Sequence, residues 1–208
     1  MKGLGFVSIV AGLAVMSVFS SCSEEKTAKC TSSDAAIEAV MTRTSVREFT
    51  AQKVGKDTVE ILLRAAMAAP TAWNSQPWAF VVLDDEALLD SLAVMSGNNV
   101  CDRAPLAIVA CGDTAKMIDG DARAYWINDV SAASENILIA ANALGLGAVW
   151  TGGYPDSGRE AGIRKALNLP ANLIPMSVLC IGYPAKKQKP QNKWKEENIY
   201  YNRFEPEK

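Results

Sequence analysis

The sequence has no histidine. That absence excludes Ser-His-Asp and Cys-His nucleophile systems and most zinc sites, so imidazole carries no protons here. There is no block of basic residues either. Twenty-one Lys and Arg are scattered among 23 Asp and Glu, for a net charge of −2, and a nucleic-acid surface is not indicated. None of the five cysteines forms a C-x-x-C pair, which argues against a metal site. No GxxxxGK[ST] motif occurs. The glycine-rich stretch "GLGAVWTGG", residues 145–153, follows a helical pattern and precedes a strand-like one, the reverse of the order in a dinucleotide fingerprint. The longest apolar run, Leu4 to Phe19, is short of the about 20 residues that span a bilayer.

What is present suits one domain. The 208 residues are 49% hydrophobic, enough for a real core and too apolar for disorder. Lys2, the apolar run and then Ser20-Ser21-Cys22 have the layout of a secretory signal. The small-small-Cys ending resembles a bacterial lipoprotein signal. The expectation is therefore a signal peptide over residues 1–21, lipidation of Cys22, a polar tether over 22–33, and a domain over 34–208. This makes the protein exported and lipid-anchored on the periplasmic or surface side, and cytoplasmic if the signal reading is wrong. Cys30, Cys101, Cys111 and Cys180 remain. Cys111 and Cys180 lie in apolar runs and read as buried small hydrophobes. An exported protein can form disulfides, but sequence alone assigns none.

The domain alternates helix and strand patterns. Asp34 is placed to cap a helix running to about Arg43, and apolar Val59, Leu62, Leu63 and Ala66 mark one face of a second helix over 57–69, ended by Pro70. "WAFVVLD", "PLAIVACGD", "AVWTGG" and "IPMSVLCIGYP" read as strands. "DEALLDSLAVM" and residues 156–168 read as helices, and 121–144 as the longest one, closed by Gly145 and Gly147. Alternation of this kind predicts three layers, α-β-α.

Two stretches carry the chemistry. In "PTAWNSQPW", residues 70–78, prolines bracket Thr71, Asn74, Ser75 and Gln76 in a rigid loop able to donate and accept hydrogen bonds. Trp73 and Trp78 read as core or interface fillers. In "RTSVREF", residues 43–49, Arg43 and Arg47 bracket Thr44 and Ser45 where the first helix stops, a compact phosphate receptor. Arginines at a helix end also suit the macrodipole without any ligand.

Taken together, "RTSVREF", "AAPTAWNSQPWAFVV", "YWINDVSAASENILIAANALGLGAVW", "GLGAVWTGG" and "NIYYNRF" resemble, in order and spacing, the flavin-dependent nitroreductase family across about residues 34–208. The resemblance implies an α+β fold: a three-layer α-β-α sandwich with a mixed, mainly antiparallel sheet, a homodimer and an extended C-terminal tail. It implies FMN bound at the dimer interface. Arg43, Thr44, Ser45 and Arg47 would hold the phosphate and ribityl chain. Pro70, Thr71, Ala72, Asn74 and Gln76 would meet the flavin, largely from the partner subunit. Trp150, Thr151, Gly152 and Gly153 would pass near the reactive edge, and Lys193 would reach the phosphate. The flavin N5 carries the hydride, so no side chain is expected to be catalytic.

The implied reaction moves two electrons from NADH or NADPH to a small electron-poor acceptor such as a nitroaromatic or quinone. The alternative is an exported flavin-binding lipoprotein without turnover. A third reading, a structural lipoprotein that has lost its ligand, predicts colourless protein. Ile199, Tyr200, Tyr201 and Phe204 would form an exposed patch unless a partner subunit covers them.

Overall fold

The computed structural model describes residues 32–97 and 99–204. The expected signal, the lipidated Cys22, most of the tether and Cys30 lie outside the described residues. Helices α1 (Ser32–Thr42) and α2 (Lys56–Met67) precede strand β1 (Trp78–Leu83). Then follow α3 (Glu86–Ser96), β2 (Leu106–Asp113), α4 (Tyr125–Ala143), β3 (Gly147–Gly152), α5 (Ser157–Leu167) and β4 (Leu173–Gly182).

The sheet order is β1-β2-β4-β3, and all three pairings are antiparallel. The mixed character expected for the sheet reduces, among the described residues, to two isolated parallel bridges, Ser45 to Ala148 and Gly153 to Pro155. Side chains alternate faces along each strand. Leu106, Ile108 and Ala110 of β2, with Leu179 and Ile181 of β4, join a core formed with α2 and α4. Ala107, Val109 and Cys111, with Val178 and Cys180, join a second core formed with α3 and α5. Helices thus cover both faces. This is why the central strands read as continuous apolar runs although they are antiparallel, a pattern more usual for parallel sheets.

Helix ends follow local chemistry. Asp85 accepts from the Leu88 N–H at 3.0 Å and Asp156 from Gly158 and Arg159 at 3.0 and 3.1 Å, each capping its helix. Gly97 and Asn168 close α3 and α5 in the left-handed conformation. The sequence expectations shift at three places. Helix α1 starts at Ser32, so Asp34 sits in its first turn rather than at its cap. The long helix begins only at Tyr125, because Gly120 turns the chain at φ +69° and residues 120–124 wind as a tighter 3-10 turn. Gly147 does not end that helix: it opens β3, and an added Cβ there would lie 2.7 Å from the Val46 side chain. Trp78 is buried in the core as expected, whereas Trp73 is exposed and rests on Tyr125, ring centroids 6.1 Å apart.

Candidate functional site

Helix α1 stops at Thr42, whose hydroxyl donates to the Glu38 carbonyl at 2.7 Å. Asn142 of α4 fixes that end: its Nδ2 donates to the Ala39 carbonyl at 2.9 Å and to Thr42 Oγ1 at 2.8 Å. The chain then runs extended along the outer edge of β3, and the Val46 N–H donates to the Ala148 carbonyl at 3.0 Å. Val46 is buried over Gly147. The alternation of an extended chain then turns Ser45 and Arg47, which flank it, outward. Both are exposed.

These residues form one wall of a cleft of about 820 Å³. Arg43, Thr44, Ser45 and Arg47 face the segment from Gln188 to Trp194, which brings Lys193 to the same space. Four cationic side chains, Arg43, Arg47, Lys189 and Lys193, and two hydroxyls thus converge from positions up to 150 residues apart in sequence. Arg43 is held by Glu135 of α4, Nε to Oε1 at 3.0 Å, whereas Arg47 makes no ion pair among the described residues. A second cleft, about 510 Å³ between Glu48–Lys53 and Asp102–Pro105, contains none of the expected residues.

Strand β3 lies at the sheet edge beside the arginine segment. The period of two that sends the Ala148 carbonyl outward sends the backbone groups of Trp150 and Gly152 the same way. The side chains there have other work. The Trp150 indole packs against the α2–α4 core, and the Thr151 hydroxyl donates to the Val178 carbonyl at 2.9 Å. A Cβ on Gly153 would lie 2.5 Å from the Pro175 carbonyl oxygen, so packing alone requires glycine at that position. A Cβ on Gly152 would meet nothing within 4 Å.

The loop at 70–77 is braced and strained together. Trp73, Asn74 and Gln76 all take positive φ, at 51°, 55° and 48°. Such conformations cost roughly 1–3 kcal/mol each and persist only where surroundings hold them. The Gln76 N–H donates to Thr71 Oγ1 at 3.2 Å, and Gln76 Nε2 to Asn74 Oδ1 at 3.1 Å. The Ala72 N–H donates to a carboxyl oxygen of buried Asp129 at 2.9 Å. Ser75 Oγ is buried without a hydrogen-bond partner among the described residues, a state that needs an explanation in a folded protein.

Pro70, Thr71, Ala72, Asn74 and Gln76 do not line the cleft of the arginines. Both pieces attach to α4, at Asp129 and Glu135. Six residues put these about 9 Å apart along the helix and about 120° apart around it. Sequence reasoning missed Asp129, Glu135 and Asn142, which position the loop, Arg43 and the end of α1. Their signal was available: polar residues inside "YWINDVSAASENILIAANA", a helix otherwise suited to burial.

The model of the Nitroreductase family matches residues 40–100 and 93–183. The chain belongs to the nitroreductase family. A nitroreductase-family relative from Methanothermobacter thermautotrophicus, provisionally named an NADH dehydrogenase/NAD(P)H nitroreductase, is 41% identical over 153 residues, 72% of this chain and 78% of its own. A crystal structure from Bacteroides thetaiotaomicron under the same provisional name is 42% identical at a TM-score of 0.77, covering 82% of this chain and 98% of that one. The FMN-dependent nitroreductase of Clostridium difficile is 28% identical at a TM-score of 0.73, covering 81% and 99%. The nitroreductase fold expected from the sequence is therefore the fold observed.

Proposed function

We propose that this chain is an FMN-dependent oxidoreductase that takes two electrons from NADH or NADPH and delivers them to an electron-poor acceptor such as a nitroaromatic or quinone. Family membership supports the class, and relatives named NADPH-flavin oxidoreductase and FMN reductase, 28% and 25% identical, support the cofactor and donor. The observation that carries the reading is the cleft in which Arg47 and Ser45 face outward beside Arg43 and Lys193.

These residues fit a phosphorylated flavin. Guanidinium forks match phosphate oxygens, with Lys189 and Lys193 as further positive charges. Thr44 and Ser45 can hydrogen-bond a polyhydroxyl chain. The exposed backbone edge at Trp150 and Gly152 offers N–H and C=O groups to a flat ring. The Ser75 hydroxyl, without a partner among the described residues, and Asn74 and Gln76 beside it have the donors and acceptors for a polar ring edge. Bound FMN supplies reversible two-electron chemistry, which no side chain of this set can. The chain's part is to anchor the phosphate, orient the ring and place positive charge and N–H groups where negative charge gathers on reduction. With no histidine present, solvent water delivers the protons.

The loop and the arginine cleft attach on different sides of α4, so the proposal includes a homodimer in which one subunit's loop completes its partner's cleft. Apolar Ile37, Val40 and Met41 of α1 and Ile61 and Met67 of α2 are exposed in a protomer, as are Trp194, Tyr200, Tyr201 and Phe204 of the tail. A patch of that extent is what a subunit interface covers. Export and lipidation at Cys22 are part of the same proposal. Palmitate labelling that survives Cys22→Ala would refute them.

The test is the absorbance spectrum of the purified protein, followed by anaerobic titration with NADPH and reoxidation by a quinone. The protein is expected to be yellow and to bleach and recover. Arg43→Ala with Arg47→Ala removes at least two charge-assisted hydrogen bonds worth about 1.5–3 kcal/mol each, so FMN affinity should fall by at least about a hundredfold. Undiminished FMN retention in that double variant would end the proposal.

A further inference from the structure

Cys101 opens the short turn Cys101–Arg103 that follows α3, and Cys180 sits within β4. Both are completely buried, and their Sγ atoms face each other at 3.0 Å across 79 residues of sequence. Their surroundings are apolar: Ala107, Val109, Val149 and Val178 belong to the same core. Neither lines the arginine cleft, so the phosphate-binding role proposed for that cleft does not account for the pair.

We propose that Cys101 and Cys180 are a disulfide site that fastens the turn after α3 to the central strand β4. The third thiol in this core is excluded by register. Cys180 lies opposite Ala107 on β2, whereas Cys111 lies opposite Pro175. Four residues along a strand put Cys111 about 13 Å out of step with Cys180. A disulfide requires Cα atoms within about 7 Å. A Cys101–Cys180 bond would close a long loop containing β2, α4, β3 and α5, the kind of cross-link that most restricts an unfolded chain.

The oxidant is a small disulfide of the oxidised-glutathione class. The thiolate of one cysteine attacks it, forming a mixed disulfide and releasing one small thiol. The thiolate of the second cysteine then displaces the other small thiol and forms the protein S–S bond. Two protons leave the protein, the protein pair loses two electrons, and the small disulfide is reduced to two thiols. Because both sulfurs are buried in the folded state, exchange happens before the turn closes over β4. This step rests on the export proposed above, under which folding takes place where such oxidants persist.

The full chain is unfolded with reductant, refolded in reduced and oxidised glutathione, denatured in N-ethylmaleimide, and digested without reduction for mass spectrometry. The expected product is native by near-UV circular dichroism, lighter by two hydrogens before alkylation, with one linked peptide pair joining Cys101 to Cys180 and with maleimide on the other three cysteines, Cys22, Cys30 and Cys111. Cys111→Ser should keep the link. Natively refolded protein with maleimide on both Cys101 and Cys180 would overturn the proposal. So would a native product in which Cys101 or Cys180 is linked to a different cysteine, or a Cys101–Cys180 link found only in non-native material.

Discussion

Asp129 anchors the loop through a single contact, and that makes it a sharp probe. Its carboxyl oxygen accepts from the Ala72 N–H at 2.9 Å, at the first residue of the short turn Ala72–Asn74, in a loop that holds three non-glycine residues, Trp73, Asn74 and Gln76, at positive φ. At about 1 kcal/mol each, the lower bound, those three would relax with about 3 kcal/mol in favour of release. The acceptor opposing them is worth about 1.5–3 kcal/mol, and removing it leaves a part-buried N–H unsatisfied. Anchor and strain are therefore of similar size, and the anchor decides whether the loop keeps its shape. Asp129→Leu keeps the branched shape and removes the acceptor, whereas Asp129→Asn keeps the size and an acceptor oxygen. Hydrogen exchange of residues 71–77 and FMN titration by fluorescence quenching give separate readouts. Asp129→Leu is expected to expose the loop amides and weaken FMN binding about 10- to 100-fold with unchanged far-UV circular dichroism. Asp129→Asn should stay within about threefold, under one kcal/mol. If the loop amides of Asp129→Leu stay as protected as before, the anchoring argument is wrong. If they open while FMN binds as tightly as before, the loop is not part of the flavin site.

Three further outcomes follow from the geometry. Gly153→Ala drives a Cβ to 2.5 Å from the Pro175 carbonyl and should lower Tm by several degrees, while Gly152→Ala meets open space and should leave Tm unchanged; equal Tm values would remove the distinction drawn between them. Gly162→Ala places its Cβ against the Met95 carbonyl backbone, where α5 crosses α3, and should be more damaging still, with little folded protein at 37 °C by circular dichroism. Burial raises the Asp113 carboxyl, but hydrogen bonds from Asn172, the Ala115 N–H and Lys116, together with the Lys116 charge, outweigh it and hold the group below its usual value. A depressed carboxylate stabilises the fold above its unfolded pKa, near 3.9, and loses that contribution as pH falls through the lower folded value. The Tm gap between wild type and Asp113→Leu should therefore be constant near neutrality and narrow below about pH 4; a gap that widens on acidification would contradict this sign.

Much of this protein is decided locally. Asp85 and Asp156 cap helices because a carboxylate one residue before a helix satisfies its first N–H groups, and Pro70 ends α2 because proline cannot continue it. The apolar strands and the arginine segment could be read for the same reason: nearest-neighbour sterics and burial period need no knowledge of distant residues. What tertiary structure alone decided is which surface each residue serves. Trp150 and Trp73 look alike in sequence, yet one packs into the core and the other stands in solvent on Tyr125. Gly152 and Gly153 are adjacent and identical, and only the approach of Pro175 separates them. Cys101 meets Cys180, and Asp129 meets Ala72, across 79 and 57 residues. Such pairings arise from how helices stack on a sheet, which is a property of the whole packed chain and leaves no periodic trace along any one segment.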